Sequence, residues 1–280
     1  MRELSGKVAV ITGAASGLGR ELALRCAAEG MRLVVADVAA APLAETVSVL
    51  ERAGVAPIDV ASVPCDVSRP ADVEALAAGT WTRFGGAQLL FNNAGVATCG
   101  PVWTSTPEDW AWVLGVNLMG VVHGIRAFVP RMLESGLPAH IVNTASVAGF
   151  LSVPGSSVYC ASKHAVVTVS ECLAHELEIE KAPIGVSVIA PAYFNTGIVD
   201  SARNRPAELA ATNTRSAPYE ARLRRAVASG RLSAADIARL TLEAVKADRF
   251  YVYTHPAILP SVAQRAREVA EGLSPSNPMP

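Results

Sequence analysis

The feature that most restricts this chain is an alternation. Short β-branched apolar runs take turns with longer segments of helical character, and the alternation persists for most of the length. KVAVIT precedes residues 17 to 30, RLVVAD precedes 41 to 54, DVASVPCD precedes 70 to 84, and AQLLFNN precedes 106 to 134. HIVNTAS then leads into a helix over about 157 to 181, IGVSVIAP into an irregular stretch and a helix near 233 to 247, and RFYVYTH closes the series. Strands that are apolar throughout, without alternation, belong in a parallel sheet covered on both faces. The expectation is therefore an α/β fold: one doubly wound, Rossmann-type domain over residues 1–273, with a mostly parallel seven-stranded sheet. Residues 192–230 interrupt the rhythm with six arginines and few strand formers, which suits an insertion covering a ligand at the carboxyl end of the sixth strand. The alternative for that stretch is a solvated helix with its arginines facing water. The ending SPSNPMP predicts a flexible tail over 274–280.

Composition narrows the partners. A chain of 280 residues with 51% apolar side chains and a formal charge of -1 has no basic excess to hold nucleic acid or anionic lipid. The uncharged stretches near 110 to 125 and 182 to 199 carry Asn, His or Pro and predict core elements, not bilayer spans, so no membrane partner is expected. Five cysteines without a CxxC pair, and a start lacking a secretory pattern, predict reduced thiols and a cytoplasmic setting. The histidines His123, His140, His164, His175 and His255 stand singly, and no metal site is expected.

Chemistry gathers at the strand ends. The first strand runs into TGAASGLG, which places Gly13, Ser16, Gly17, Leu18 and Gly19 at the turn into a helix, where a pyrophosphate can approach bare backbone. Asp37 ends the second strand, 24 positions after Gly13, where a carboxylate accepts from adenosine ribose hydroxyls or, alternatively, caps the next helix. Uncharged Ser16 and Val38 offer nothing to a 2′-phosphate, so NAD is expected over NADP. Asp66 follows the third strand, Asn92, Asn93, Ala94 and Gly95 the fourth, Ser146 the fifth, and Pro191 with Thr196 the sixth. One sheet edge thus collects the small and polar residues, as a ligand crevice requires.

YCASK puts Tyr159 and Lys163 one helical turn apart. A free tyrosine, with a pKa of about 10, is ionised in roughly one molecule per thousand at neutral pH, so a base made from it needs a nearby cation, and Lys163 is one.

Together TGAASGLG, NNAG at 92 to 95, Asn117, Ser146 thirteen residues before Tyr159, and YCASK resemble the short-chain dehydrogenase/reductase family, over about residues 5 to 255. The resemblance implies that Tyr159 is the general acid/base, that Ser146 orients the substrate oxygen, and that Lys163 holds the nicotinamide ribose and lowers the tyrosine pKa. It implies that Asn117 supports a proton relay, that Asp66 and Val67 meet the adenine, that Asn93 and Gly95 line the cofactor floor, and that Thr196 reaches the nicotinamide side. It also implies a homotetramer, or failing that a dimer, through the helices at 106 to 134 and 157 to 181. The family's usual Pro-Gly after the sixth strand is here Pro191 and Ala192, which puts the backbone at that turn in question.

Phe150, Leu151 and Val153, with Tyr193, Phe194 and the run Cys99 to Trp103, predict an apolar pocket wall. The expected activity is NAD-dependent interconversion of an apolar or aromatic secondary alcohol and its ketone. The alternatives are an NADPH-dependent ketoreductase and, from another class, a non-catalytic dinucleotide-binding regulator.

Overall fold

Seven parallel strands form one sheet in the order β3-β2-β1-β4-β5-β6-β7 in a computed structural model that describes residues 1–278 apart from 212 and 214. They are β1 (Val8–Thr12), β2 (Arg32–Asp37), β3 (Val60–Pro64), β4 (Leu89–Asn92), β5 (Ala139–Thr144), β6 (Ile184–Ala190) and β7 (Tyr251–Tyr253). Every pairing is parallel, so the sheet contains no antiparallel edge. Chain order reverses direction between β1 and β4, and a crevice opens at that switch point beyond the carboxyl ends.

The strands are apolar throughout because both faces are covered. Ala9, Ile11, Leu33, Val35, Leu89, Phe91, Val142 and Ile189 pack into one cluster with α1 (Gly17–Ala28), α2 (Ala40–Arg52) and α8 (Ala234–Lys246). Their neighbours Val8, Val10, Val34, Ala36, Leu90, Ile141 and Val186 point the other way, toward α3 (Pro70–Phe84), α5 (Gly120–Ser135) and α6 (Ser157–Ile179). The two-residue period of the strand distributes these side chains, and burial of both sets drives the layering.

Local chemistry sets the helix ends. Thr106 and Asp109 form a reciprocal capping box at α4 (Pro107–Leu114), Ser233 and Asp236 form another at α8, and left-handed Gly85 ends α3. The helix expected over 106 to 134 is α4 and α5 joined by a π turn at Gly115–Met119. The resulting stretch, Pro107–Ser135, is long and apolar enough by composition to cross a bilayer. Its Trp112, Val113, Val121, Phe128 and Met132 are instead buried inside the protein.

Two parts depart from the sequence expectation. Residues 192 to 230 are less irregular than expected: they hold short 3-10 turns at Gly197–Asn204 and Ala207–Leu209 and the helix α7 (Ala217–Ala228). Beyond β7 the chain forms α9 (Leu259–Glu271), which the strand-and-helix alternation did not announce. Of the tail expected at 274–280, residues 279 and 280 lie outside the described residues, and Ser276 is tied back by its N–H to Glu268 Oε2 at 3.2 Å.

Candidate active site

One long cleft runs along the carboxyl edge of the sheet, and all the residues singled out as cofactor-binding line it: Gly13, Ser16, Gly17, Leu18, Gly19, Asp37, Asp66, Val67, Asn93, Ala94, Gly95, Tyr159, Lys163, Pro191 and Thr196. Ser146 lines it too, and Asn117 lies behind it, fully buried.

At the glycine turn the bare backbone is a steric requirement. A side chain on Gly13 would meet Ala94 Cα at 2.8 Å, and one on Gly19 would overlap the Gly13 carbonyl and come within 2.8 Å of Asn93 Nδ2. The first turn of α1 carries no acidic residue, and Ser16 makes no side-chain cap. Its leading N–H groups therefore face the cleft without an intrahelical partner, which fits a pyrophosphate.

Thr12, which the sequence reading passed over, binds this floor together. Its hydroxyl donates to Phe91 O at 3.1 Å and accepts from the N–H groups of Asn93 at 2.9 Å and Ala94 at 3.2 Å. Asn93 Nδ2 returns a bond to Thr12 O at 3.0 Å, and its Oδ1 accepts from Thr144 Oγ1 at 3.3 Å. The ends of β1, β4 and β5 are thereby fixed relative to one another.

Asp37 does not cap α2, whose N-cap is Ala39 without a side-chain bond, but it ties down two turns. Oδ2 accepts from the N–H of Ala15 at 3.0 Å and Oδ1 from that of Ala39 at 2.9 Å, so the carboxylate braces the glycine turn and the approach to α2. Each oxygen keeps a lone pair for a further donor, as ribose hydroxyls would be. The nearby cation, Arg20, is committed to Ala15 O at 2.7 Å, Thr46 Oγ1 at 3.0 Å and Glu45, and it does not line the cleft. Asp66 is bonded by the Ser68 N–H and hydroxyl, while Val67 is fixed by His123 Nδ1 on its carbonyl at 2.9 Å.

At the other end stand the groups for chemistry. Ser146 precedes a 3-10 turn, accepts from the Ala148 N–H at 3.2 Å and donates to Pro191 O at 3.3 Å. Lys163, on the same helix as Tyr159, donates to Thr144 O at 2.7 Å and lies 5.6 Å from the Tyr159 ring centre. Burial pushes the Tyr159 hydroxyl up to about 12, against a hydrogen bond with Ser146 that pulls it down, and burial pushes Lys163 down to about 7. Lys163 is not among the groups that shift Tyr159 in the protein alone, where burial is the largest cause.

Asn117 sits in the π turn with its side chain fully engaged: Oδ1 accepts from Val96 N at 2.8 Å, and Nδ2 donates to Val96 O at 3.0 Å and Ser162 Oγ at 3.0 Å. Ser162 also donates to Tyr159 O at 2.7 Å, so this buried amide links the NNAG turn to the helix carrying the tyrosine. The Ala192 departure is accommodated. Its backbone is not left-handed, and its N–H donates to His255 Nδ1 at 3.2 Å.

Residues 193 to 227 roof the cleft. Val153, Tyr193, Phe194 and Cys99 line it as expected, joined by Trp112, Leu209, Leu223 and Val227. Phe150 and Leu151 do not; Phe150 packs 5.2 Å from the Tyr253 ring, and Leu151 is buried elsewhere. Val102 and Trp103 are exposed outside the cleft. The roof is latched by Ser201 Oγ, which bonds Ala97 N at 3.1 Å and Ala97 O at 3.2 Å. A second latch is the buried Arg205–Asp109 pair at 2.7 Å, with the guanidinium 5.1 Å from the Trp112 ring centre. Neither latch was visible in the sequence, because each joins residues about a hundred positions apart. Among the described residues no cluster of His, Cys, Asp or Glu is arranged to hold a metal ion.

Residues 7–207 match the family described as short chain dehydrogenase. The chain is 37% identical over 256 residues to the 1-deoxy-11-beta-hydroxypentalenate dehydrogenase of Streptomyces avermitilis, covering 90% of this chain and 86% of that enzyme. It is 31% identical over 280 residues to a CLA biosynthesis dehydrogenase/reductase of Lactiplantibacillus plantarum, covering 98% and 97%. Among solved structures, a short chain dehydrogenase/reductase from Burkholderia phymatum in complex with NAD superposes with a TM-score of 0.97 at 49% identity, covering all of both chains.

Proposed function

The chain belongs to the short-chain dehydrogenase/reductase family, and from that premise we propose that it is an NAD-dependent dehydrogenase that interconverts an apolar or aromatic secondary alcohol and its ketone. The observation that carries the reading is the grouping of buried Ser146 and Lys163 with half-buried Tyr159 at one end of a cleft whose other end is the glycine turn and Asp37.

The residues fit a dinucleotide. Gly13, Gly17 and Gly19 with the start of α1 would hold the pyrophosphate, Asp37 the adenosine ribose, Asp66 and Val67 the adenine, and Asn93, Ala94, Gly95, Lys163, Pro191 and Thr196 the nicotinamide half. Bound in its oxidised form, the nicotinamide supplies the hydride acceptor and a positive charge. Tyr159 Oη takes the proton of the alcohol in oxidation and returns it in reduction. Ser146 Oγ turns from Pro191 O to donate to the substrate oxygen, stabilising charge there in both directions. Lys163, anchored on Thr144 O, presents its remaining N–H groups toward the ribose and the tyrosine. Asn117, its amide bonded to Val96 and Ser162, would position this set and support the proton relay that the resemblance implies.

NAD over NADP rests on Asp37, whose carboxylate would face a 2′-phosphate with no free cation beside it. The relative from Burkholderia phymatum holding NAD supports the same choice. Reduced free thiols at all five cysteines suit a cytoplasmic location. Assembly into a homotetramer, or a dimer, would cover the partly exposed faces of α5 and α6, where Leu133 and Ile179 meet solvent.

Trp112 and the roof residues Phe194, Leu209, Leu223 and Val227 support an apolar substrate. In a panel of secondary alcohols with NAD, kcat/KM for aromatic and long apolar members is expected to exceed that for polyols by about a hundredfold, or ~2.7 kcal/mol. A preference for polyols or sugars overturns the substrate assignment.

A further inference from the structure

The cleft is short of positive charge where a dinucleotide carries most of its negative charge. Of the charged residues lining it, Asp37 and Asp66 are acids, Lys163 is held on Thr144 O beside the tyrosine, and the remaining cation is Arg203. The glycine turn contributes no basic side chain to the cleft, because Arg20 is bound behind it to Ala15 O, Thr46 and Glu45. A helix N-terminus alone offers about half a charge.

Arg203 belongs to the roof, and its placement is built. Nη1 donates to Gly197 O at 3.0 Å and Asp200 O at 2.8 Å, which fixes the guanidinium plane. No carboxylate among the described residues pairs with it; Asp200 gives its carboxylate to Arg224 at 2.7 Å. Nη2 is 3.4 Å from where a side chain on Gly197 would begin, and Thr196, the preceding residue, has its Oγ1 3.2 Å from where a side chain on Gly17 would begin. The roof therefore touches the first turn of α1, and the arginine is attached to the roof at that contact.

Resting on the dinucleotide reading above, we propose that Arg203 is a second anchor for the cofactor's pyrophosphate, contributed by the roof. A guanidinium with one edge on backbone carbonyls and the other free is suited to forked recognition of phosphate oxygens. A substrate carboxylate offers similar chemistry, but the contacts of Arg203 lead through Gly197 and Thr196 to the glycine turn and not to Tyr159.

The test uses the purified full-length protein, wild type and the variants Arg203→Gln and Arg203→Lys, titrated with NADH by nicotinamide fluorescence and then competed with ADP and with adenosine. Arg203→Gln is expected to weaken both NADH and ADP by about tenfold while leaving adenosine within about twofold, since adenosine lacks the pyrophosphate. Arg203→Lys is expected to recover part of the loss, and the difference from wild type is expected to shrink in high salt. Unchanged NADH and ADP affinity in Arg203→Gln overturns the proposal, as does an unchanged cofactor affinity coupled to a raised KM for carboxylate-bearing alcohols. Wild-type protein that fails to bind NADH would instead remove the cofactor reading itself, a result visible before any variant is compared.

Discussion

Replacing Tyr159 by phenylalanine is expected to lower turnover at least a hundredfold while leaving NADH affinity within about threefold, because positioned acid–base catalysis contributes about 10²–10⁴. The ring stays in place against Lys163, whose hold on Thr144 O does not depend on the phenol, and Ser146 keeps its bond to Pro191 O. The substitution removes the phenol hydroxyl beside Ser146 and leaves Tyr193, which also lines the cleft, untouched. Its pH signature follows from the direction of the shift. Burial raises the Tyr159 pKa to about 12, so the proton is retained at neutral pH, and oxidation, which needs the deprotonated form, is expected to accelerate as pH rises. Reduction, which needs the protonated form, should hold level until the pH nears that value and only then slow. Loss of this opposed dependence in the phenylalanine variant would tie it to the tyrosine; retention of more than a tenth of the activity would assign the proton to another group.

The second large effect is steric. Gly19→Ala places a methyl group against the carbonyl carbon of Gly13 at 2.7 Å, and both partners are backbone, so neither can swing aside. The turn must open, at a cost of about 3 kcal/mol or more, and the leading N–H groups of α1 lose their alignment. A fall of that size in urea unfolding, with NADH binding weakened a hundredfold or more, is expected. Gly17→Ala is the milder comparison: its backbone is left-handed at φ 53°, and its new methyl would stand 3.2 Å from the Thr196 hydroxyl, which can rotate. It should cost about 1 kcal/mol. Equal losses in the two variants would show that conformational strain, and not the close approach of α1 to the turn, governs this site.

The sheet was legible because burial on both faces imposes apolar runs with no competing pattern, and Val8 to Thr12 and Ile184 to Ala190 have little other use for such composition. The site was legible where one short segment supplies several groups, as TGAASGLG and YCASK do. What remained hidden depends on contacts across the chain. Thr12 looks like an ordinary strand end until its hydroxyl is seen to collect three backbone groups. Asp109 reads as half of a capping box, which it is, and nothing in its neighbourhood announces Arg205, ninety-six residues away. Asn117 reads as an ordinary helix asparagine until its amide is seen to bridge Val96 and Ser162. The α9 helix escaped because it is polar on average and buries almost nothing: Glu268 alone among its residues is enclosed, even though Pro260 and left-handed Gly272 mark its ends. Phe150 was placed in the pocket on proximity to Ser146, whereas the 3-10 turn at Val147–Gly149 carries it toward the aromatic side chains of β7.

The central claim is an NAD-dependent site whose cofactor choice is made by Asp37, and the most direct measurement is a pair of fluorescence titrations, NADH against NADPH, on wild-type protein and on Asp37→Ser. Wild-type protein is predicted to bind NADH at least tenfold more tightly, about 1.4 kcal/mol, and the serine variant to lose most of that preference. Equal or tighter binding of NADPH by the wild type would contradict the account.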